Sequence, residues 1–197
     1  MASGDDVLDL SVRELLEQVA ARTPAPGAGS AAALVLGLAA GLASMAARFA
    51  SGHWDGATHA VERADALRLQ AEPLAGADAD SYTWVLEAYR VPREPDPAVR
   101  AAAIAAALVA ATAVPLEIAE IAAKVAGLAA EVAEHGNTNL RGDAAAGAVL
   151  AEASARVAAA LVAINLSARP DDGRVARAAE LVTAAAESSG RALRAAE

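Results

Sequence analysis

The feature that most constrains the fold is the run PAPGAGSAAALVLGLAAGLASMAAR over residues 24–48, a Pro/Gly turn opening directly onto a long small-residue helix. Pro24 and Pro26 fix their own φ and hold the residues before them extended, while Gly27 and Gly29 permit close backbone approach. Ser30 fits as the N-cap of the helix. Its first free N–H groups are then predicted to face an opening flanked by glycines, an arrangement in which proteins hold carboxylates or phosphates. Such a turn is a weak sign by itself, because most helix N-termini bind only water or a neighbouring loop. Along the helix Gly37, Ala40, Gly41 and Ser44 recur at three- and four-residue spacing and form a flat face that another helix can approach closely. The run carries no charge from Thr23 to Ala47, so a membrane span has to be weighed at about 20 apolar residues. Against it, alanine and glycine are only mildly apolar, and no basic cluster flanks Arg48. A helix apolar all round is also what the centre of a helical bundle requires.

Hydrophobic residues make up 56% of the 197 residues but aromatics only 3%. With alanine dominant and β-branched residues few, that contrast predicts closely packed helices and an all-α class. We expect about five to seven helices, two of them long and Ala/Gly-rich, in a single domain over residues 1–197. A net charge of −9 and a pI near 4.8 argue against a nucleic-acid partner, which would need a basic face. The absence of cysteine excludes a disulfide framework and a thiolate metal site. The N-terminus, MASGDDVLDL, is acidic and lacks the basic and apolar regions of a signal peptide, so a cytoplasmic protein is expected.

In chain order, Ser11-Val12-Arg13-Glu14 has the form of a capping box, and Val12, Leu15, Leu16 and Val19 give the spacing of a short amphipathic helix. The long helix is predicted from Ser30 to about Ser51, where Gly52-His53-Trp54-Asp55-Gly56 breaks it. Residues 57–91 read as helical with an interruption at Pro73 and Gly76. Asp78 and Asp80 point to different helix faces and so form no ready-made acid/base pair, although either could cap the restarted helix. Tyr82, Val85, Leu86 and Tyr89 read as a core stripe, with Tyr82 or Asp80 as site lining. From Asp96, an N-cap with Pro97 in the first turn, a helix is expected to about Glu134, bent by Pro115. Glu117 and Glu120 share a face just after that proline. A solvated pair is their ordinary explanation, but apolar Leu116, Ile118 and Ile121 surround them, which makes a functional carboxylate worth testing. His135-Gly136-Asn137-Thr138-Asn139 reads as a helix stop and restart, and Asp143 lies in the first turn of a second small-residue helix. Asn165, near its end between Ile164 and Leu166, needs a partner if buried.

Three separated segments in order, PAPGAGSAAAL, ATAVPLEIAE and HGNTNLRGDAAAGAVLAEA with its trailing INL, resemble the cyclodeaminase/methenyltetrahydrofolate cyclohydrolase family. DADSYTWVLEAYRVPR resembles its acidic-aromatic stretch. The resemblance covers most of the chain and implies an orthogonal all-helical bundle that forms a homodimer. It also implies a folate pocket shaped by Pro26, Gly27, Gly29 and Ser30, with Asp80, Tyr82, Asn137 and Asn139 as further substrate contacts and Asp143 or Glu120 as the acid/base group. The chain departs from the family in having Ala28 inside the glycine turn and Gly52-His53-Trp54-Asp55 in place of a glycine-lysine loop; Lys124 is its only lysine.

The chemistry implied is proton transfer at a one-carbon bridge on tetrahydrofolate. In a cyclodeaminase the anilino nitrogen closes on the formimino carbon and ammonia leaves; in a cyclohydrolase water adds to the methenyl carbon and the ring opens. A carboxylate serves either reaction, with Asp143 the first choice and Glu120 the second. No metal and no cofactor beyond the tetrahydrofolate substrate is expected. Bifunctional relatives carry a formiminotransferase domain ahead of this one, so a cyclodeaminase reading expects a separate protein to deliver the formimino group. The alternatives are the same scaffold turned to another small molecule and a non-catalytic helical dimer that binds a ligand.

Overall fold

The computed structural model of the protein describes residues 7–197; residues 1–6, which include most of the acidic start read above, lie outside it. Eight α-helices follow one another among the described residues, with no strand: α1 (Val12–Ala20), α2 (Ala28–Arg48), α3 (Ala57–Ala71), α4 (Leu74–Arg90), α5 (Pro97–Ala110), α6 (Ala113–His135), α7 (Arg141–Asn165) and α8 (Gly173–Ala196). The all-α class is as the composition predicts.

The core lies between α2, α6, α7 and α8, with α3 and α4 packed against α2 and α6. Its largest fully buried side chains include Leu36, Ile118, Leu128, Val125 and Val162, and most of the rest are alanines. Alanine faces let helix backbones approach closely, so many small contacts replace the few large ones of an aromatic core. The antiparallel pair α2 and α7 illustrates this. The Ser154 hydroxyl donates to the Ala32 carbonyl at 2.8 Å, and a Cβ at Gly147 would stand 3.0 Å from the Ala39 carbonyl oxygen. Gly147 is therefore the glycine that sets the separation of these helices. Gly37 and Gly41 have no such role: a Cβ at either would meet no described neighbour within 4 Å.

Several boundaries differ from the sequence reading. The N-cap of α2 is Gly27, not Ser30, which sits in the first turn and is fully buried. The helix expected from Asp96 to Glu134 is two helices. It is interrupted at Ala111 and Thr112, as Pro115 leads one to expect: the proline lies in the first turn of α6 and has no N–H to return to Ala111, so α5 ends there and a new helix starts. Of the supposed core stripe on α4 only Val85 is buried, while Tyr82 and Tyr89 are exposed. At the N-terminus the capping box is present: Glu14 N–H donates to the Ser11 hydroxyl at 3.3 Å, and Ser11 N–H to the Glu14 carboxylate at 2.8 Å. Yet no residue of α1 is buried. Val12, Leu16 and Val19 face an apolar groove of about 570 Å³, whose opposite wall includes Leu34, Val35 and Leu38 of α2. By length and composition alone, three helical stretches (28–48, 97–135 and 138–165) could cross a membrane.

Candidate active site

The N-terminus of α2 opens into a cleft of about 300 Å³. Pro24, Ala25, Gly27, Ala28 and Gly29 form one wall, and Asp78, Ser81, Tyr82 and Val85 of α4 another. Leu108, Ala111 and Pro115 close the floor together with Leu161, Ile164 and Asn165 from the end of α7. The lining is largely apolar with a few converging polar groups, the usual character of a small-molecule site.

Asp78 is the charged group of this cleft. Its carboxylate takes the position that the glycine turn prepares at the helix N-terminus: Ser30 N–H donates to Oδ2 at 2.9 Å and the Ser30 hydroxyl lies 3.1 Å from the same oxygen. That hydroxyl also donates to the Ala75 carbonyl at 2.9 Å. A Cβ at Gly29 would overlap the Asp78 carboxylate, so glycine at 29 is required by the acid that packs on it. Burial pushes the Asp78 carboxyl above its ordinary value, against the two Ser30 contacts, which pull it down. An acid so placed holds its proton to higher pH than a solvated aspartate and can both give and take one.

The sequence reading selected Asp80 and passed over Asp78. Asp80 is exposed and lines nothing. The signal that separates the two is periodicity. Ala75, Asp78, Ser81 or Tyr82, and Val85 fall on one helical face, and Ser81 and Val85 are buried, whereas Asp80 falls off it. Tyr82 lines the cleft as expected and Asn165 joins it, donating to the Ala111 carbonyl at 3.3 Å. Pro26 and Ser30 are buried behind the wall and do not line it. Glu120 is half-buried on α6 outside the cleft, on a face shared with exposed Glu117 and Lys124.

Asn137, Asn139 and Asp143 are not in the cleft at all. Asn137 Nδ2 donates to the Phe49 carbonyl at 3.2 Å, and its Oδ1 accepts from Asn139 N–H at 3.0 Å. This segment therefore sits past the C-terminal end of α2, whose 21 residues separate it from the cleft by about 30 Å. Here Trp54 folds over Gly56 and its ring lies 5.9 Å from that of His135. Arg141 opens α7 at the same end with a buried Nε that has no acceptor among the described residues. The chain thus carries two polar centres at opposite ends of α2. No group of three His, Cys, Asp or Glu suited to a metal ion occurs among the described residues.

A helical bundle with a half-buried acid at a glycine-lined helix N-terminus, in a largely apolar cleft, defines a class: an all-α enzyme fold for a small organic substrate. The particular family follows from comparison. Residues 11–184 match the profile of the formiminotransferase-cyclodeaminase family, and the chain belongs to it. It is 32% identical over 163 residues to a methenyltetrahydrofolate cyclohydrolase of Methylorubrum extorquens, covering 79% of this chain and 78% of that one. It is also 34% identical over 174 residues to the mouse formimidoyltransferase-cyclodeaminase, covering 84% of this chain but 32% of the longer relative. The crystal structure of formiminotetrahydrofolate cyclodeaminase from Thermotoga maritima superimposes with a TM-score of 0.85 at 27% identity, covering 96% of both chains.

Proposed function

We propose that this protein is a tetrahydrofolate one-carbon enzyme, a formiminotetrahydrofolate cyclodeaminase that closes the formimino group to the methenyl bridge with release of ammonia. The observation that carries the reading is the half-buried Asp78 carboxyl, seated at the α2 N-terminus inside an apolar cleft. In the reaction the N10 lone pair attacks the formimino carbon, N10 loses its proton, and the amino group must gain one to leave as ammonia. A single carboxyl with a raised pKa can take the first proton and supply the second. The apolar floor excludes water that would otherwise compete at the same carbon.

Methenyltetrahydrofolate cyclohydrolase is the second reading, favoured by the Methylorubrum relative, which is close to this chain in span. There the same carboxylate orients water on the methenyl carbon. Asp143, the first choice from the sequence, stands outside this cleft at the far end of α2, so in this reading Asp78 carries the acid/base role. The tetrahydrofolate derivative is the only organic cofactor the reaction calls for, and in this reading the protein acts as a homodimer.

The test is a spectrophotometric assay of the methenyl chromophore with purified wild type and Asp78→Asn. Appearance of the chromophore from formiminotetrahydrofolate, lost in the variant, is the expected result. Its disappearance from methenyltetrahydrofolate would assign the cyclohydrolase instead. No change with either substrate would refute both reactions.

A further inference from the structure

The floor of the cleft holds a polar side chain that the proton transfer does not use. Asn165, the last residue of α7, lies there beside Leu161, Ile164, Leu108 and Ala111. The proline at the start of α6 fixes its orientation. Ala111 and Thr112 both keep right-handed backbone, with φ, ψ of −65°, −6° and −73°, −21°, so an N–H at position 115 would return to the Ala111 carbonyl four residues back. Pro115 has none. The Ala111 carbonyl accepts instead from Asn165 Nδ2 at 3.3 Å. Because a carbonyl only accepts, this contact decides the two ends of the amide: the nitrogen faces Ala111 and Oδ1 faces away from it. That oxygen accepts from no described residue, and it is not sealed from solvent.

Four side chains lining the cleft carry polar atoms: Asp78, Ser81, Tyr82 and Asn165. The Ser81 hydroxyl is engaged with the Asp78 main-chain carbonyl at 2.9 Å, and Tyr82 is 44% exposed. The Asp78 carboxyl changes its protonation as the reaction runs. Asn165 Oδ1 does not titrate, so it is an acceptor at every stage. We infer that Asn165 Oδ1 receives the N–H of the one-carbon nitrogen, the amine that leaves on ring closure, and so acts on the substrate as well as on the fold. This inference rests on the folate reading.

The chemistry gives such an acceptor a place. When N10 attacks the protonated formimino carbon, the π pair of the C=N bond moves to the nitrogen and makes it an amine. Asp78 takes the N10 proton and gives it to that amine, which departs as ammonia with its C–N bond pair while the N5 lone pair completes the methenyl bridge. An amine whose N–H is held by Asn165 turns its lone pair toward the acid. As the amine gains its proton the hydrogen bond becomes charge-assisted and strengthens, and the apolar floor strengthens it further. The contact therefore favours the transition state over the bound substrate and is felt in kcat. In the hydrolytic reading the O–H of the entering water takes the same place.

A role as a cap on Ala111 and a role on the substrate are separated by giving the Ala111 carbonyl another donor. Pro115→Ala supplies that N–H, so adding Asn165→Ala in this background should leave the urea midpoint unchanged. Turnover of formiminotetrahydrofolate should still fall, with kcat lower by about 10–100-fold for one lost bond to a charged donor, while affinity for tetrahydrofolate, which lacks the one-carbon group, stays within about twofold. In the otherwise wild-type chain Asn165→Ala should lower both the urea midpoint and kcat. An unchanged kcat in the Pro115→Ala background would overturn the inference and leave Asn165 as a cap alone. A loss of tetrahydrofolate affinity as large as the loss of kcat would also overturn it, because the amide would then hold another part of the folate. If the wild type turns over neither formiminotetrahydrofolate nor methenyltetrahydrofolate, the folate reading fails and this inference with it, whereas wild-type turnover that Asn165→Ala retains sinks the inference alone.

Discussion

Replacing Gly29 with alanine tests the central geometry of the cleft most directly. The new methyl group would overlap the Asp78 carboxylate, and neither group can retreat within a helix backbone, so the carboxylate must leave. The bond from the Ser30 N–H, at 2.9 Å, is then lost from a fully buried residue, while the one proton of the Ser30 hydroxyl stays on the Ala75 carbonyl. At roughly 1.5–3 kcal/mol for a bond to a charged acceptor, with about 1 kcal/mol regained from exchanging glycine for alanine in the helix, the net cost is about 0.5–2 kcal/mol. In a chain of this length that lowers Tm by roughly 1–8 °C. Thermal denaturation followed by circular dichroism reads this, and turnover of the folate substrate should fall with it. In an Asp78→Ala background the same Gly29→Ala change has room and should be neutral or stabilising. If Gly29→Ala stabilises the otherwise wild-type protein, the carboxylate does not lie where this reasoning needs it.

The same acid has a pH signature. Its folded pKa lies above the unfolded one, so its contribution to stability is fully present below the unfolded value and is lost as pH rises through the folded value. Urea midpoints of Asp78→Asn relative to wild type should therefore improve from pH 4 to pH 7. Asp65 runs the other way. The Ser44 hydroxyl, 2.7 Å away, is the main cause that lowers its pKa, followed by Arg48 against the effect of burial. Its contribution is present above the unfolded value and lost as pH falls through the folded one, so Ser44→Ala should cost about 1 kcal/mol near pH 7 and less near pH 3 by chemical denaturation. Gly147→Ala should force α7 away from the Ala39 carbonyl and cost about 1–3 kcal/mol, measured by the same urea midpoints.

Much of this protein is determined locally and is legible in the sequence. The capping box at Ser11, the break near Pro73, the Asp96 cap and the restart at Asn137 each depend on residues within a turn of one another. The all-α class depends on composition alone. The family resemblance likewise needs only the order of its segments. What sequence could not decide is which of several equivalent faces points inward. Gly37, Gly41 and Gly147 look alike as letters, yet only Gly147 meets a backbone. Asp78 and Asp80 differ only in the side of α4 they occupy, and the position of Ser30 beside α4 makes one of them the half-buried acid of the cleft and leaves the other in solvent. The separation of Asn137 and Asp143 from the glycine turn is likewise a property of the packed bundle: α7 runs antiparallel to α2, so motifs 110 residues apart in the chain end up at opposite ends of one helix. Short-range chemistry fixed the helices and their caps, while the packing of nearly identical alanine surfaces decided which polar groups meet, because that choice depends on contacts between residues far apart in the chain.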